Sequence, residues 1–426
     1  MSRHVLVIGA GVIGLMSAYH LRRRGFAVTV LEREGADRGS GEHAPASYGN
    51  AGMIVPSHFV PLAAPGVVAQ GLRWMADPKS PFYVRPRLSS DLLTWGWRFW
   101  RAGTAAHVRA SAPLLLTLNL ASRDEYVALD DELGGGIGFE RLGLTMLCAT
   151  QHALEEEAKV AEMARALGGG AEVLDAAAVR ALEPGIELNV VGGVHFPDDA
   201  HLNPGALMRA LQARLQADGV EFRFGARVVG FELGDRGVRG VTVRPSGGVD
   251  ETVTGDEVVL AAGAWTGRIA RLAGLSLPMQ PGKGYTMTLE SPSQRLSVPS
   301  ILTEARVAVT RMGERLRIGG TMELGGFDEG ANDLRVRGIV EAARRYFPRL
   351  TEVELAEPPR WHGFRPLSPD GLPYLGRSRR VPNLTVASGH GMMGLSLAPI
   401  TGKLVGEVVA GEEPSLPIGA MSVERF

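Results

Sequence analysis

Cysteine is almost absent from this chain: Cys148 is the only one in 426 residues. That excludes an intramolecular disulfide, a CxxC redox pair, a cysteine-ligated zinc and an iron–sulfur cluster. A buried, inert thiol is the state expected of it. Lysine is scarce as well, with Lys79, Lys159, Lys283 and Lys403 as the full set, and arginine carries the rest of the positive charge. Neither sign of charge dominates. The formal net charge is −1, so no overall field favours nucleic acid or acidic lipid. Long hydrophobic runs are missing too: no stretch of about 18 uncharged apolar residues occurs, which excludes an ordinary membrane-spanning helix. A strand pattern begins at His4, so no targeting peptide is expected. A cytoplasmic protein is the simplest expectation, with peripheral contact to the inner face of a membrane left open. No Ser-His-Asp set or carboxylate pair stands out, and no metal site is expected.

What remains is an ordinary globular composition, 45% hydrophobic and 21% charged, in a chain long enough for about two or three domains. Its most informative stretch is His4-Val5-Leu6-Val7-Ile8-Gly9-Ala10-Gly11-Val12-Ile13-Gly14, followed by an amphipathic segment and Val28-Thr29-Val30-Leu31-Glu32. The pattern is strand, GxGxxG turn, helix, strand and terminal acid. Gly9 allows the tight turn, Gly11 lets a pyrophosphate approach the backbone, and Gly14 lets the helix pack on the sheet. The phosphates then meet the positive end of the helix dipole. Glu32 stands where a carboxylate accepts hydrogen bonds from ribose hydroxyls. A lone GxGxxG is weak evidence; here both strands, the helix and the acid agree with it.

Farther on, Ala46-Ser47-Tyr48-Gly49-Asn50-Ala51-Gly52 is rich in small residues, read equally well as a close approach to a flat ligand or as a flexible loop. Residues 61–135 are mostly helical in pattern. Asp91 to Trp100 crowds aromatics into one segment; core or a domain interface is favoured over a cofactor box, and contact with a membrane surface is a further reading. Gly143 to Ala149 reads as a strand, Glu155 to Leu167 as a helix, and Ala171 to Pro184 as another helix. Asn203 and Pro204 open a helix as cap and first residue. Strands follow at 220–224, 227–233 and 238–243. Glu257 to Gly267 is a buried strand that ends in small residues and leads into a helix. Residues 279–320 alternate as an antiparallel sheet would. Near the C-terminus, Asn383 to Ala387 gives way to Ser388-Gly389-His390-Gly391-Met392-Met393-Gly394 and a helix. The N-terminus of that helix is suited to stabilising negative charge on a reduced flavin.

Val7 to Glu32, Val258 to Trp265, Gly363 to Pro369 and Gly389 to Gly394, in that order, resemble the FAD-dependent D-amino-acid oxidase superfamily. Ser47 to Gly52, Ala63-Ala64-Pro65-Gly66 with Trp74, Gly282 to Tyr285 and Trp361 to Asp370 are similar, within it, to the bacterial D-amino-acid dehydrogenases of the small-subunit type. The resemblance covers nearly the whole chain. It implies an α/β protein with an α+β second domain. A Rossmann-like FAD-binding domain would be assembled from residues 1–60, 200–275 and 355–426. A substrate domain on a mixed or antiparallel sheet would come from 61–199 and 276–354. The cofactor implied is FAD rather than NAD, and non-covalent, because the C-terminal site has no cysteine.

The chemistry implied is hydride transfer from the α-carbon of a D-amino acid to flavin N5. The imino acid hydrolyses to a keto acid, and electrons pass to a quinone or another acceptor. No protein base is required if the amine binds neutral. The alternatives are a D-proline or cis-4-hydroxy-D-proline dehydrogenase, a glycine- or sarcosine-type oxidase, and a flavin subunit that works only with partner subunits. Arg365 occupies the carboxylate-binding position of the resemblance, suited by its two-pronged donors. Tyr48 and Tyr285 are candidates to close the substrate pocket, although Tyr48 stands where those dehydrogenases often carry Phe. His390 is expected beside the flavin or bonded to backbone. His43 and His58 are weaker candidates, and Lys283 is expected to be solvated. Gly9, Gly11, Gly14 and Glu32 are the primary FAD residues. Arg33, Ser40, Ser47, Gly49, Asn50, Gly52, Gly263, Gly376, Gly389, Gly391, Met392 and Gly394 follow them.

Overall fold

The structure is a computed structural model and describes residues 2–37, 39, 45–351, 354–355 and 360–426. His4–Ile8 lies inside a six-stranded sheet. Ala27–Leu31 and then Glu221–Arg223 flank it on one side. Glu257–Leu260, Leu384–Ser388 and Tyr374–Arg377 flank it on the other. Every pairing is parallel except the last. The inner strands are covered on both faces, which is why they read as continuous hydrophobic runs. The helix Val12–Arg23 returns the chain from the first strand to the second. It packs on Ala398–Ala410, where a Cβ on Gly402 would lie 2.5 Å from the carbonyl of Met16. Glycine there brings the two helices together.

The larger sheet has nine strands and is mixed. Its order runs Arg360–Leu367, Gln280–Leu289, Arg315–Leu324, Val307–Met312, Ser300–Leu302, Leu144–Cys148, Gly192–Phe196 and Glu172–Asp175, with Phe82–Val84 paired beside Arg315–Leu324. Two pairings in it are parallel, Ser300–Leu302 with Leu144–Cys148 and Phe82–Val84 with Arg315–Leu324. A three-stranded antiparallel sheet, Ala226–Gly234, Gly237–Pro245 and Glu251–Val253, sits between two strands of the first sheet in the chain. The Arg360–Leu367 strand pairs with Gln280–Leu289 along its whole length. Residues 360–367 thus build the large sheet although they lie in the C-terminal stretch expected to serve the nucleotide-binding half.

Local signals set most helix starts. Thr104 caps Ala105–Glu132, Thr150 caps Gln151–Ala166, and Asn203 caps Pro204–Ala217, each accepting an N–H of the first turn. Elsewhere tertiary context wins over local pattern. Residues 171–184 are not one helix: Glu172–Asp175 is recruited as the edge strand beside Gly192–Phe196, and only Ala176–Leu182 is helical. The C-terminal helix proper begins at Ala398, a turn later than the glycines suggest. Cys148 is fully buried, and desolvation pushes its thiol up to about 12, so it is inert. Among the described residues no helix is long and apolar enough to cross a membrane.

The aromatic stripe is a correction. In Ser90–Ala102 only Trp95 is core, its Nε1 donating to Leu367 O at 2.9 Å. Trp97 is 53% exposed and Trp100 63%. The helix is amphipathic, and it turns this aromatic face outward.

Candidate active site

A cavity of about 1180 Å³ opens between the two sheets. That is at the upper end of what small-molecule sites need and suits a large cofactor with a substrate beside it. One end is the nucleotide cradle. Gly9 has φ +102°, and a Cβ on it would lie 2.6 Å from Ala261 O on the neighbouring strand. A Cβ on Gly14 would run into the carbonyl of Gly9. The two glycines therefore let strand, turn and helix close on one another, leaving Gly11 facing the cavity at the helix start. Ser47 Oγ accepts the N–H of Val12 at 2.9 Å. Glu32 Oε2 accepts from Ala10 N at 2.7 Å and Oε1 from Glu34 N at 3.0 Å, which aims the carboxylate while leaving lone pairs for ribose hydroxyls. The Arg33 guanidinium lies 3.7 Å from the Trp265 ring centroid, at the cavity edge.

The middle of the cavity is formed by turns from three segments. Ser47, Gly49 and Asn50 line it, pinned from behind by Arg317, whose Nη1 donates to Tyr48 O and Asn50 O at 3.0 and 2.7 Å. A Cβ on Gly49 would collide with the Trp361 ring, so only glycine lets this loop lie flat on the large sheet. Gly263 lines the cavity just past the strand Glu257–Leu260, and Gly391, Met392 and Gly394 from the C-terminal turn. His390 is buried there, Nε2 at 3.0 Å from Thr401 Oγ1, while its Nδ1 has no partner among the described residues. Burial lowers its pKa to about 3, so it is neutral. An orphaned ring nitrogen in a cavity wall is what a bound ligand would satisfy. The glycine cradle, the aimed Glu32 and this atom together fit a dinucleotide-type flavin.

At the substrate end stands Arg365. Its Nη1 donates to Thr321 O at 2.8 Å, and it faces the cavity. A Cβ on Gly284 would occupy the place of the guanidinium. Burial lowers its pKa to about 10, leaving it a cation at neutral pH. Among the described residues no carboxylate pairs with it. Thr321 itself has φ +68°, an uncommon conformation for a β-branched residue, and it turns this carbonyl toward Arg365.

Several expected residues lie elsewhere. Tyr285 points away from the cavity: along Gln280–Leu289 side chains alternate, so Thr286 reaches the cavity and Tyr285 joins the core behind the sheet. Its hydroxyl donates to Glu323 Oε2 at 3.0 Å. Tyr48 is buried in the core around the first helix and does not line the cavity, although its neighbours do. Gly52, Gly376 and Gly389 also stand off the cavity. A Cβ on Gly52 would strike Leu202 O, and one on Gly389 would strike the Tyr374 ring, so these two serve close packing. Lys283 is buried, not solvated. Its Nζ donates to Asp328 O and Gly330 O at 3.0 and 2.6 Å and anchors that loop. Ser40 and His43 lie outside the described residues. The cavity wall contains His58, one of the weaker candidates, together with Thr321, Arg306 and Trp361, which the sequence did not single out for a role.

A parallel nucleotide-binding sheet, a facing mixed sheet and a shared cavity define an oxidoreductase that holds a flavin dinucleotide. The sequence model of the family described as FAD dependent oxidoreductase matches residues 4–408, and the chain belongs to that family, with FAD as its cofactor. The chain is 33% identical to a D-amino acid dehydrogenase of Granulibacter bethesdensis and 32% identical to one of Methylobacterium radiotolerans, each alignment covering 99% of both chains. In fold it is similar to glycine oxidase from Geobacillus kaustophilus, with TM-score 0.76, 24% identity and full coverage of both chains. It is similar likewise to L-proline dehydrogenase from P. horikoshii, with TM-score 0.72, 18% identity and coverage of 100% of this chain and 98% of the other.

Proposed function

We propose that this FAD-dependent oxidoreductase oxidises D-amino acids to imino acids, passing the electrons to a quinone or a similar acceptor. The observation that carries the reading is Arg365. A half-buried cation that, among the described residues, has no carboxylate partner is costly, and a substrate carboxylate satisfies it with paired hydrogen bonds. FAD, when bound, supplies the two-electron oxidant. The protein's part is positional. Gly9, Gly11, Gly14, Glu32, Ser47 and the Gly391–Gly394 turn hold the cofactor; Arg365, set by Thr321 O, fixes the carboxylate; Trp361 and Phe364 give apolar walls. The D configuration comes from the dehydrogenase relatives, whose full-length similarity supports it.

The acceptor reading draws on the outward face of Ser90–Ala102. Leu93, Trp97 and Trp100, with Leu72 of the adjacent helix, are exposed and also border the cavity. Arg73 and Arg101 stand on the same two helices. Such a face suits shallow contact with a lipid surface and entry of an apolar quinone. The segments 1–60, 200–275 and 355–426 are proposed to hold the cofactor, with 61–199 and 276–354 shaping the substrate side. The deciding experiment is an anaerobic visible spectrum of the flavin protein titrated with D- and L-amino acids. Bleaching by D-amino acids, with slow recovery in air, is expected. Bleaching by glycine with rapid recovery in air would point to an oxidase, and selective bleaching by D-proline or cis-4-hydroxy-D-proline to the cyclic substrates.

A further inference from the structure

Asp199 is fully buried and, among the described residues, meets no cation within ion-pair distance. Its Oδ2 accepts from Ser57 Oγ at 2.5 Å, and its Oδ1 from the Ser57 N–H at 2.9 Å. Ser57 Oγ also lies 2.9 Å from His58 Nδ1. The His58 side chain lines the cavity, and among the described residues Nε2 has no partner. A carboxyl, a hydroxyl and an imidazole thus form a line that ends in a free ring nitrogen.

That nitrogen belongs to the cavity that Arg365 also lines. His58 feels the charge of Arg306, which lines the same cavity and is itself paired with Glu157 at 3.6 Å. The carbonyl of Arg306 packs 3.2 Å from the Cβ position of Gly320. The next residue is Thr321, whose carbonyl holds Arg365. Arg306 and Thr321 are the two non-glycine residues with positive φ among those described, at +52° and +68°. Strained backbone of this kind gathers at functional sites. Arg306, whose charge His58 feels, and Thr321, which holds Arg365, thus make up one strained stretch of the cavity wall.

We propose that His58, acting with Ser57 and Asp199 behind it, removes the proton from the substrate's ammonium group and so delivers the neutral amine that oxidation requires. This rests on the amino-acid reading above. With Asp199 ionised, Ser57 donates to Oδ2, His58 donates Nδ1–H to Ser57 Oγ, and Nε2 offers its lone pair. The ammonium N–H breaks as Nε2–H forms. Nδ1 gives its proton to Oγ, and the former hydroxyl proton ends on Oδ2. One proton moves, no electron does, and the imidazole only changes tautomer. After product leaves, the reverse path returns the proton to solvent.

The tautomer route is what this wall favours. Burial, with Arg306, holds His58 down to about 4, so an imidazolium is disfavoured. Burial lifts Asp199 to about 8, despite the Ser57 hydrogen bonds; Asp198 adds to the rise and Arg123 opposes it. The terminal acceptor is thereby matched to an amine, and the half-buried histidine need never carry charge.

The test uses the FAD-loaded enzyme and anaerobic stopped-flow bleaching by a D-amino acid from about pH 6 to about pH 10. In the wild type the rate is expected to rise through about pH 8, where Asp199 ionises. Ser57→Ala should remove that step and slow bleaching by on the order of 100-fold at its top. Ser57→Thr should restore both. Histidine ¹⁵N spectra of the substrate-free protein should show His58 passing from the Nε2–H to the Nδ1–H form across the same pH range, and not in Ser57→Ala. An unchanged rate and pH profile in Ser57→Ala overturns the relay while leaving the amino-acid reading intact. A flavin that no amino acid bleaches overturns that reading instead. A His58 tautomer that never changes overturns the relay in either case.

Discussion

At the scale of single residues the site depends on atoms that are present and on atoms that are missing. Arg365 is present: its one hydrogen bond among the described residues, to Thr321 O, leaves the rest of its donor fork for a carboxylate. Lysine retains the charge but not the fork. Arg365→Lys should therefore lower kcat/KM for D-amino acids about 10- to 100-fold, mostly through KM, as expected for a lost charged hydrogen bond of about 1.5–3 kcal/mol. Steady-state kinetics with an artificial dye will check this, and a variant that keeps wild-type KM would remove Arg365 from the substrate. The missing atom is the Cβ of Gly14. Gly14→Ala would drive a methyl group into Gly9 O, backbone against backbone. The strand–turn–helix would have to open, and the purified variant should carry much less flavin per chain than the wild type, read from its visible absorbance. The glycines were legible because a dinucleotide turn dictates them by spacing. Arg306 and Thr321 were not, because neither residue type favours positive φ; their strain is imposed by the sheet.

At the scale of elements, alternation decides which side chains reach the site. Gln280–Leu289 was legible as a strand, yet its face was not: the residue pattern does not say which side meets the cavity when both sides are buried. Tyr285 consequently stands in the rear core and Thr286 in the front. Ser90–Ala102 shows the reverse difficulty. Its aromatics were assigned to a core, but helical geometry spreads Trp95, Trp97 and Trp100 around the axis, and only Trp95 turns inward. Exposed tryptophan at a cavity border needs a partner, and a lipid surface is the one proposed. The double variant Trp97→Ser, Trp100→Ser should weaken binding to phospholipid vesicles about 10- to 100-fold, from the apolar burial it forfeits. Turnover with a water-soluble dye should stay the same, and turnover with a vesicle-borne quinone should fall. Equal vesicle binding by both proteins in a flotation assay would free this face from that role.

At the scale of the molecule, the cavity exists because segments far apart in sequence return to one seam. The first 60 residues were enough to announce a nucleotide, whereas the seam depends on pairings such as Gly284 with Gly363 that no local pattern encodes. Enclosing a seam buries ionisable groups, and this leaves a mark on stability. Desolvation lowers His20 and His390 to about 3 and His58 to about 4, in each case below the ordinary value near 6.5. These histidines are neutral when folded and take up protons on unfolding once the pH drops below about 6.5. Their contribution is complete above that pH and is lost as the pH falls toward 3–4. Asp199 acts oppositely. Raised to about 8 by burial, it is protonated in the folded protein at pH 5 and mostly ionised in the unfolded one, so acid favours its folded form. Glu157 and Glu183, raised by burial as well, act in the same sense. Three protons against one to three leave a net uptake of about zero to two on unfolding between pH 5 and pH 6.5. Stability should then not rise, and should fall by up to about 3 kcal/mol per pH unit, on going from pH 6.5 to pH 5. Urea unfolding of the flavin-loaded protein at several pH values gives this slope directly. His20→Gln, remote from the cavity, should flatten it by about one proton without altering substrate oxidation. A reversed slope, or a slope that His20→Gln leaves unchanged, would mean that these histidines are not held neutral in the folded protein.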